Sequence, residues 1–150
     1  MNNLKKLNGT YKGLIGECMF KLTRKWVVIT KYWNKLKYMQ IFGKYMNSVQ
    51  REFILTNWHS LDAIEITFTN GKKQITLYEI KTKNEYNVKL FFKLKMTEST
   101  HRIYQIAKKA GFNTKIAIVH FTDDWNYYTK IVEFNEASYC IDKPKKYDKI

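Results

Sequence analysis

The dipeptide Asn70-Gly71 is the strongest constraint on what this chain can fold into. It separates two runs, 62–69 and 74–83, rich in β-branched and aromatic residues. Both central positions of a two-residue hairpin turn need positive φ, which Asn and Gly supply at low cost. The spacing therefore predicts an antiparallel pair. Residues 97–110 follow with Ile103, Ile106, Ala107 and Ala110 at helical spacing. Glu98 suits the helix N-terminus there, and Gly111 supplies a stop.

The rest of the chain can be sorted the same way. Residues 14–25 (Leu14, Ile15, Cys18, Met19, Leu22) repeat as a helix after Gly9, Gly13 and Gly16, with Cys18 expected in the core. Residues 26–33 have strand composition. Within 34–60, residues 38–42 suit a short strand, and Met46, Val49 and Phe53 suit a helix ending near Trp58. Residues 88–95 alternate, placing Lys89, Lys93 and Lys95 on one side and Val88, Leu90, Phe92 and Leu94 on the other. Residues 115–122 and 127–134 are expected as strands around an Asp123-Asp124-Trp125-Asn126 turn. The fold class expected is α/β (α+β): a mixed sheet flanked by helices, in the order α-β-(insert)-β-β-β-α-β-β. One domain over 1–141 is expected, with 34–60 inserted into it. The basic stretch 142–150 is expected to be a disordered tail.

Charge directs attention to partners. The chain of 150 residues carries 27 Lys+Arg against 13 Asp+Glu, a net charge of +14. Nucleic acid is the first candidate for a partner and an anionic membrane surface the second. No apolar run reaches the roughly 18–20 residues of a membrane-spanning helix, and residues after Lys5-Lys6 lack the apolar core of a signal peptide. Two cysteines, Cys18 and Cys140, build neither a disulfide framework nor a four-cysteine zinc site. An intracellular, reduced setting is the expectation.

Because acidic residues are scarce, their positions carry information. Glu79-Ile80-Lys81 lies within a strand, where positions two apart share a face. Asp62 opens the strand that the Asn70-Gly71 hairpin pairs with it, so Asp62 should approach Glu79 or Lys81. Two carboxylates can hold Mg²⁺ through hard oxygen ligands, and a lysine can position water or neutralise charge developing on phosphorus. Glu17, following Gly16, could point into the same place. With 24 lysines in the chain, about one Glu-x-Lys triplet is expected by chance, and the surrounding elements give this one its weight.

Taken together, these residues resemble the PD-(D/E)XK nuclease superfamily, whose pattern is a helix bearing Glu, an Asp on one strand, Glu-x-Lys on the next, then a helix and a strand. Lys12, Gly13, Gly16 and Glu17 are similar to the start of small Holliday-junction resolvases, and homing and restriction-type endonucleases share the core. Leu61 stands where the pattern has Pro, and 34–60 is longer than a minimal core requires. The resemblance implies a restriction-endonuclease-like core and a Mg²⁺-dependent endodeoxyribonuclease, with Mn²⁺ substituting. It assigns Glu17, Asp62, Glu79 and Lys81 as catalytic. Asp62, Glu79, the Ile80 backbone carbonyl and Glu17 would be the metal ligands. DNA, duplex or branched, would be the partner of a homodimer or higher symmetric oligomer.

Lys12, Lys31, Lys35, Lys37, Lys83, Lys93, Lys95 and Arg102 are candidates for nucleic-acid contact. Around Lys31 to Tyr38 the basic residues interleave with Tyr32 and Trp33, as in a groove that tracks phosphates and stacks bases. A preponderance of Lys over Arg favours phosphate and shape recognition over guanine reading. The alternative function is a non-catalytic nucleic-acid-binding module in which Glu79 and Lys81 form only a salt bridge. A structural or interaction protein is a third reading.

Overall fold

Asn70 and Gly71 adopt φ of 52° and 77°, and the strands they join pair without a slip from Thr69↔Lys72 to Ala63↔Tyr78. The structure, a computed structural model, describes residues 9–84, 94–122, 126–135 and 138–142. Its elements are α1 (Gly9–Thr23), β1 (Val27–Ile29), α2 (Lys35–Phe42), α3 (Ser48–Asn57), β2 (Ala63–Thr69) and β3 (Lys72–Asn84). After these come β4 (Leu94–Thr97), α4 (Glu98–Lys109), β5 (Asn113–Phe121), β6 (Tyr127–Glu133) and β7 (Tyr139–Asp142). The protein is α+β, with a mixed sheet of five strands in the order β1-β2-β3-β5-β6. Only β3 and β5 run parallel within it, as a helical crossover through α4 requires. β4 and β7 form a separate parallel pair.

Alternation along each strand divides the core in two. Val27, Ile29, Ala63, Tyr78, Ala117 and Val119 pack with Phe20 of α1. Val28, Ile64, Leu77, Ile116 and Ile118 pack the other way, with Tyr38, Phe53, Ile54 and Trp58 from residues 34–60 and with Tyr104 and Ala107 of α4. The stretch expected as an insertion thus supplies much of one layer.

Several expectations are corrected. Residues 26–33 are a strand only over β1, because Thr30 turns the chain into a 3-10 helix: its N–H donates to the Asp62 carbonyl and its hydroxyl to that of Leu61. Residues 38–42 belong to a helix, not a strand. Asn34 caps it by accepting the Lys37 N–H at 3.1 Å, and Tyr38 is buried against Trp58 and Phe42. On α4, Ala107 is enclosed and Ile103 and Ala110 pack against the core as expected, but Ile106 is 55% exposed and Tyr104 is buried instead. Cys18 is exposed, not core. β4 leaves the main sheet to pair with β7, and β7 runs through Asp142, the first residue assigned to the tail. Most of the alternating run 88–95, with Lys89 and Lys93, and the tail from 143 lie outside the described residues.

Helix α1 approaches β3 closely at Gly16. A Cβ added there would sit 1.9 Å from Thr82 Oγ1 and 3.2 Å from Thr82 Cβ. Gly16→Ala is therefore expected to push α1 off the sheet and cost about 1–3 kcal/mol, read as a lower Tm. Adding Thr82→Ala to that variant should recover most of the loss.

Candidate active site

Strand lengths create the site. β2 begins at Ala63, opposite Tyr78, whereas β3 continues to Asn84. Beyond Tyr78 the β2-facing edge of β3 has no strand beside it among the described residues. Asp62, one step before β2 and aligned by the same register with Glu79, fills the first gap: its Oδ2 accepts the Ile80 N–H at 2.8 Å. A strand residue directs its N–H and C=O to the same side, so the Ile80 carbonyl faces this notch as well.

Glu79 and Lys81 share the sheet face of Leu77, with Lys81 Nζ 3.5 Å from Glu79 Oε1. The other carboxylate oxygen, Oε2, accepts from the hydroxyl of Tyr104 at 3.4 Å. Tyr104 is itself held by stacking on Phe134, centroids 4.3 Å apart. The Glu79 and Asp62 carboxyl groups lie within hydrogen-bonding distance of one another. Burial, and then the Asp62 charge, push the Glu79 carboxyl up to about 8 against the opposing pull of Lys81. Asp62 is raised too, by burial, with the Ile80 N–H and Lys81 opposing.

Glu17 completes the group from α1. It is 7% exposed; Oε1 accepts from Lys31 Nζ at 3.2 Å, and Oε2 is buried with no hydrogen-bond partner among the described residues. Burial raises its carboxyl, Lys31 lowers it, and the charge of Asp62 raises it again. Gly16, by letting α1 close on Thr82, is what brings Glu17 to the notch. Asp62, Glu79 and Lys81 are therefore brought together, and Glu17 borders the group through Asp62.

The basic candidates divide. Burial lowers Lys83, and so do the charges of Lys81, Lys12 and Lys95, which places lysines from α1, β3 and β4 on one flank. Lys31 turns inward to Glu17. Lys35 Nζ donates to the Leu55 carbonyl at 3.2 Å, tying α2 to α3, and Lys37 is exposed. Arg102 pairs with Glu98 at 2.8 Å along α4, both side chains exposed. Lys93 lies outside the described residues.

A cleft of about 350 Å³ opens beside the carboxylates. It is lined by the charged Glu17, Lys31 and Asp62, the aromatic Trp33, Trp58 and His59, and by Thr30 and Leu61. Trp58, His59 and Tyr104 were not anticipated as site residues. The one signal for Tyr104 was general: a buried tyrosine hydroxyl seeks a polar partner.

Hard carboxylate oxygens held together against their repulsion suit a hard divalent cation. Among the described residues no three His, Cys, Asp or Glu side chains are grouped so as to hold a metal ion. The donors on offer are Asp62, Glu79 and the Ile80 carbonyl, leaving most of an octahedral shell to water, as Mg²⁺ prefers. Among the described residues no helix is long and apolar enough to cross a membrane. No family model matches the chain, and no curated protein and no solved structure matches it.

Proposed function

We propose that this protein is a Mg²⁺-dependent endonuclease acting on DNA, with a restriction-endonuclease-like core of α1, β1, β2, β3, α4 and β5. The observation that carries this reading is the meeting of Asp62, Glu79 and Lys81 at the notch beside β3, with the buried Glu17 next to Asp62. A salt bridge between Glu79 and Lys81 needs neither the second carboxylate beside it nor a third buried one with an unpaired oxygen. The parallel β3–β5 crossover and the antiparallel β1-β2-β3 order support the fold assignment.

Asp62, Glu79 and the Ile80 carbonyl would hold the cation, which supplies Lewis-acid stabilisation of charge on the phosphate. Lys81 Nζ orients the attacking water and sets a positive charge against the phosphate oxygen on which charge develops. Glu17, fixed by Lys31 through Oε1, adds negative charge beside Asp62. Tyr104 holds Glu79 in place from below. Lys12, Lys83 and Lys95 receive the flanking backbone. Cutting both strands of a duplex or a junction calls for two such centres, so a symmetric homo-oligomer belongs to the proposal.

The direct test incubates the protein with plasmid, linear duplex and four-way junction, with Mg²⁺, with Mn²⁺ or with chelator. Cleavage with either cation and none with chelator is expected. Binding without cleavage under every condition would favour the non-catalytic binding module. DNA affinity should also fall steeply with salt. If about 5 lysines per protomer neutralise phosphates, the log–log slope is near −4 to −5, and a flat response would remove nucleic acid as the partner.

A further inference from the structure

The cleft next to the carboxylates has a composition that the cleavage chemistry does not require. Hydrolysing a phosphodiester needs the charged lining, yet Trp33, Trp58 and His59 line the same cleft. Trp58 is 4% exposed and backed by Tyr38 at 5.3 Å between centroids, so it is a rigid surface. Trp33 is half-buried and braced edge-on by Tyr38 at 6.1 Å, and His59 stands exposed on the rim. A volume of about 350 Å³ lies at the small end of the range for ligand pockets, roughly 300–1,000 Å³. It is enough for one planar heterocycle and too little for a stacked pair in a duplex.

We infer that this cleft receives one unpaired nucleobase, stacked against Trp33 and His59, from the nucleotide next to the scissile phosphate. The inference rests on the nuclease reading and deepens it by naming a feature of the substrate. Glu17 and Asp62 belong to both cleft and catalytic group, so a phosphate at the carboxylates puts its own nucleoside at the cleft mouth. Lys31, at the border, faces the connecting backbone. Aromatic faces accept any base, because every base has a π-face. The preference created is for an unstacked nucleotide (a bulge, a branch point or a single strand) with little dependence on sequence. A base inside a duplex has to be unpaired first, at a cost of a few kcal/mol, and so is disfavoured.

The test compares two duplexes in EDTA, identical but for one bulged nucleotide that carries thymine in the first and is abasic in the second. Backbone geometry and charge are nearly the same, so the affinity ratio reports the base alone. We expect the thymine bulge to bind about ten-fold tighter, within the range of base–aromatic stacking, and to quench tryptophan fluorescence where the abasic bulge does not. Trp33→Ala should bring the ratio close to one. His59→Ala, on the exposed rim, should lower it several-fold with an unchanged melting curve, which keeps the test sound if Trp33→Ala unpacks α2. A wild-type ratio of one, with salt-dependent DNA binding and Mg²⁺-dependent cleavage intact, overturns the base pocket and leaves the nuclease reading standing. Absence of both binding and cleavage on every substrate overturns the two together.

Discussion

Lys81→Ala is expected to slow Mg²⁺-dependent cleavage by about 10²–10³-fold, the usual effect of removing one group that meets charge developing in the transition state. DNA affinity should stay within several-fold of wild type. Net charge is +14, so one ammonium is a small part of the attraction to a polyanion, and the flank of Lys12, Lys83 and Lys95 remains. A loss concentrated in kcat marks a contact made in the transition state. Single-turnover cleavage and filter binding on the same junction or plasmid separate the two quantities. Full activity in Lys81→Ala would mean that the catalytic group has been misplaced. Equal losses in binding and cleavage would point to Lys81 as a phosphate contact only.

The parts of this site that could be read from sequence are those set by short-range rules. Asn70-Gly71 admits one compact turn, the turn fixes the register, and the register places Asp62 against Glu79. Period-2 alternation then puts Lys81 beside Glu79. What escaped depends on contacts distant in sequence. Residues 38–42 suit a short strand by composition, but Asn34 capping and the burial of Tyr38 against Trp58 decide for helix. The Thr30 turn is set by carbonyls of Leu61 and Asp62, some thirty residues away. The pairing of Lys31 with Glu17 joins α1 to the 3-10 turn after β1, and α1 reaches that place by closing on Thr82 at Gly16. Four-residue strands such as β7 carry too short an alternation to be recognised. Trp33 is legible in the basic and aromatic stretch 31–38, but Trp58 and His59 join it at the cleft only once the chain has folded.

Asp62→Asn divides enzyme from salt bridge, and the geometry sharpens its expected sign. In the metal-free protein Asp62 and Glu79 oppose each other at short range, and Glu79 is pushed up to about 8 from its ordinary 4.5. A folded state that holds a proton the unfolded chain has released is most stable below about pH 4.5 and loses that advantage as pH rises towards 8. Asparagine removes the repulsion and keeps an amide oxygen to accept the Ile80 N–H. In EDTA at pH 8, the variant should therefore equal or exceed wild type by ~0.5–2 kcal/mol, a few degrees in Tm. Near pH 5, with Glu79 protonated in both proteins, the gap should close. Mg²⁺ should raise the Tm of wild type by mass action, leave Asp62→Asn nearly unmoved, and support cleavage by wild type alone. If Asp62 were only a partner for Lys81, its loss would strand a half-buried ammonium and lower stability by roughly 1–3 kcal/mol at every pH above the carboxylate range. A fall in the variant's Tm in EDTA, with no Mg²⁺-induced rise in wild type, would remove the nuclease assignment, because the carboxylates would then be stabilising the empty fold instead of being held apart from it for a cation.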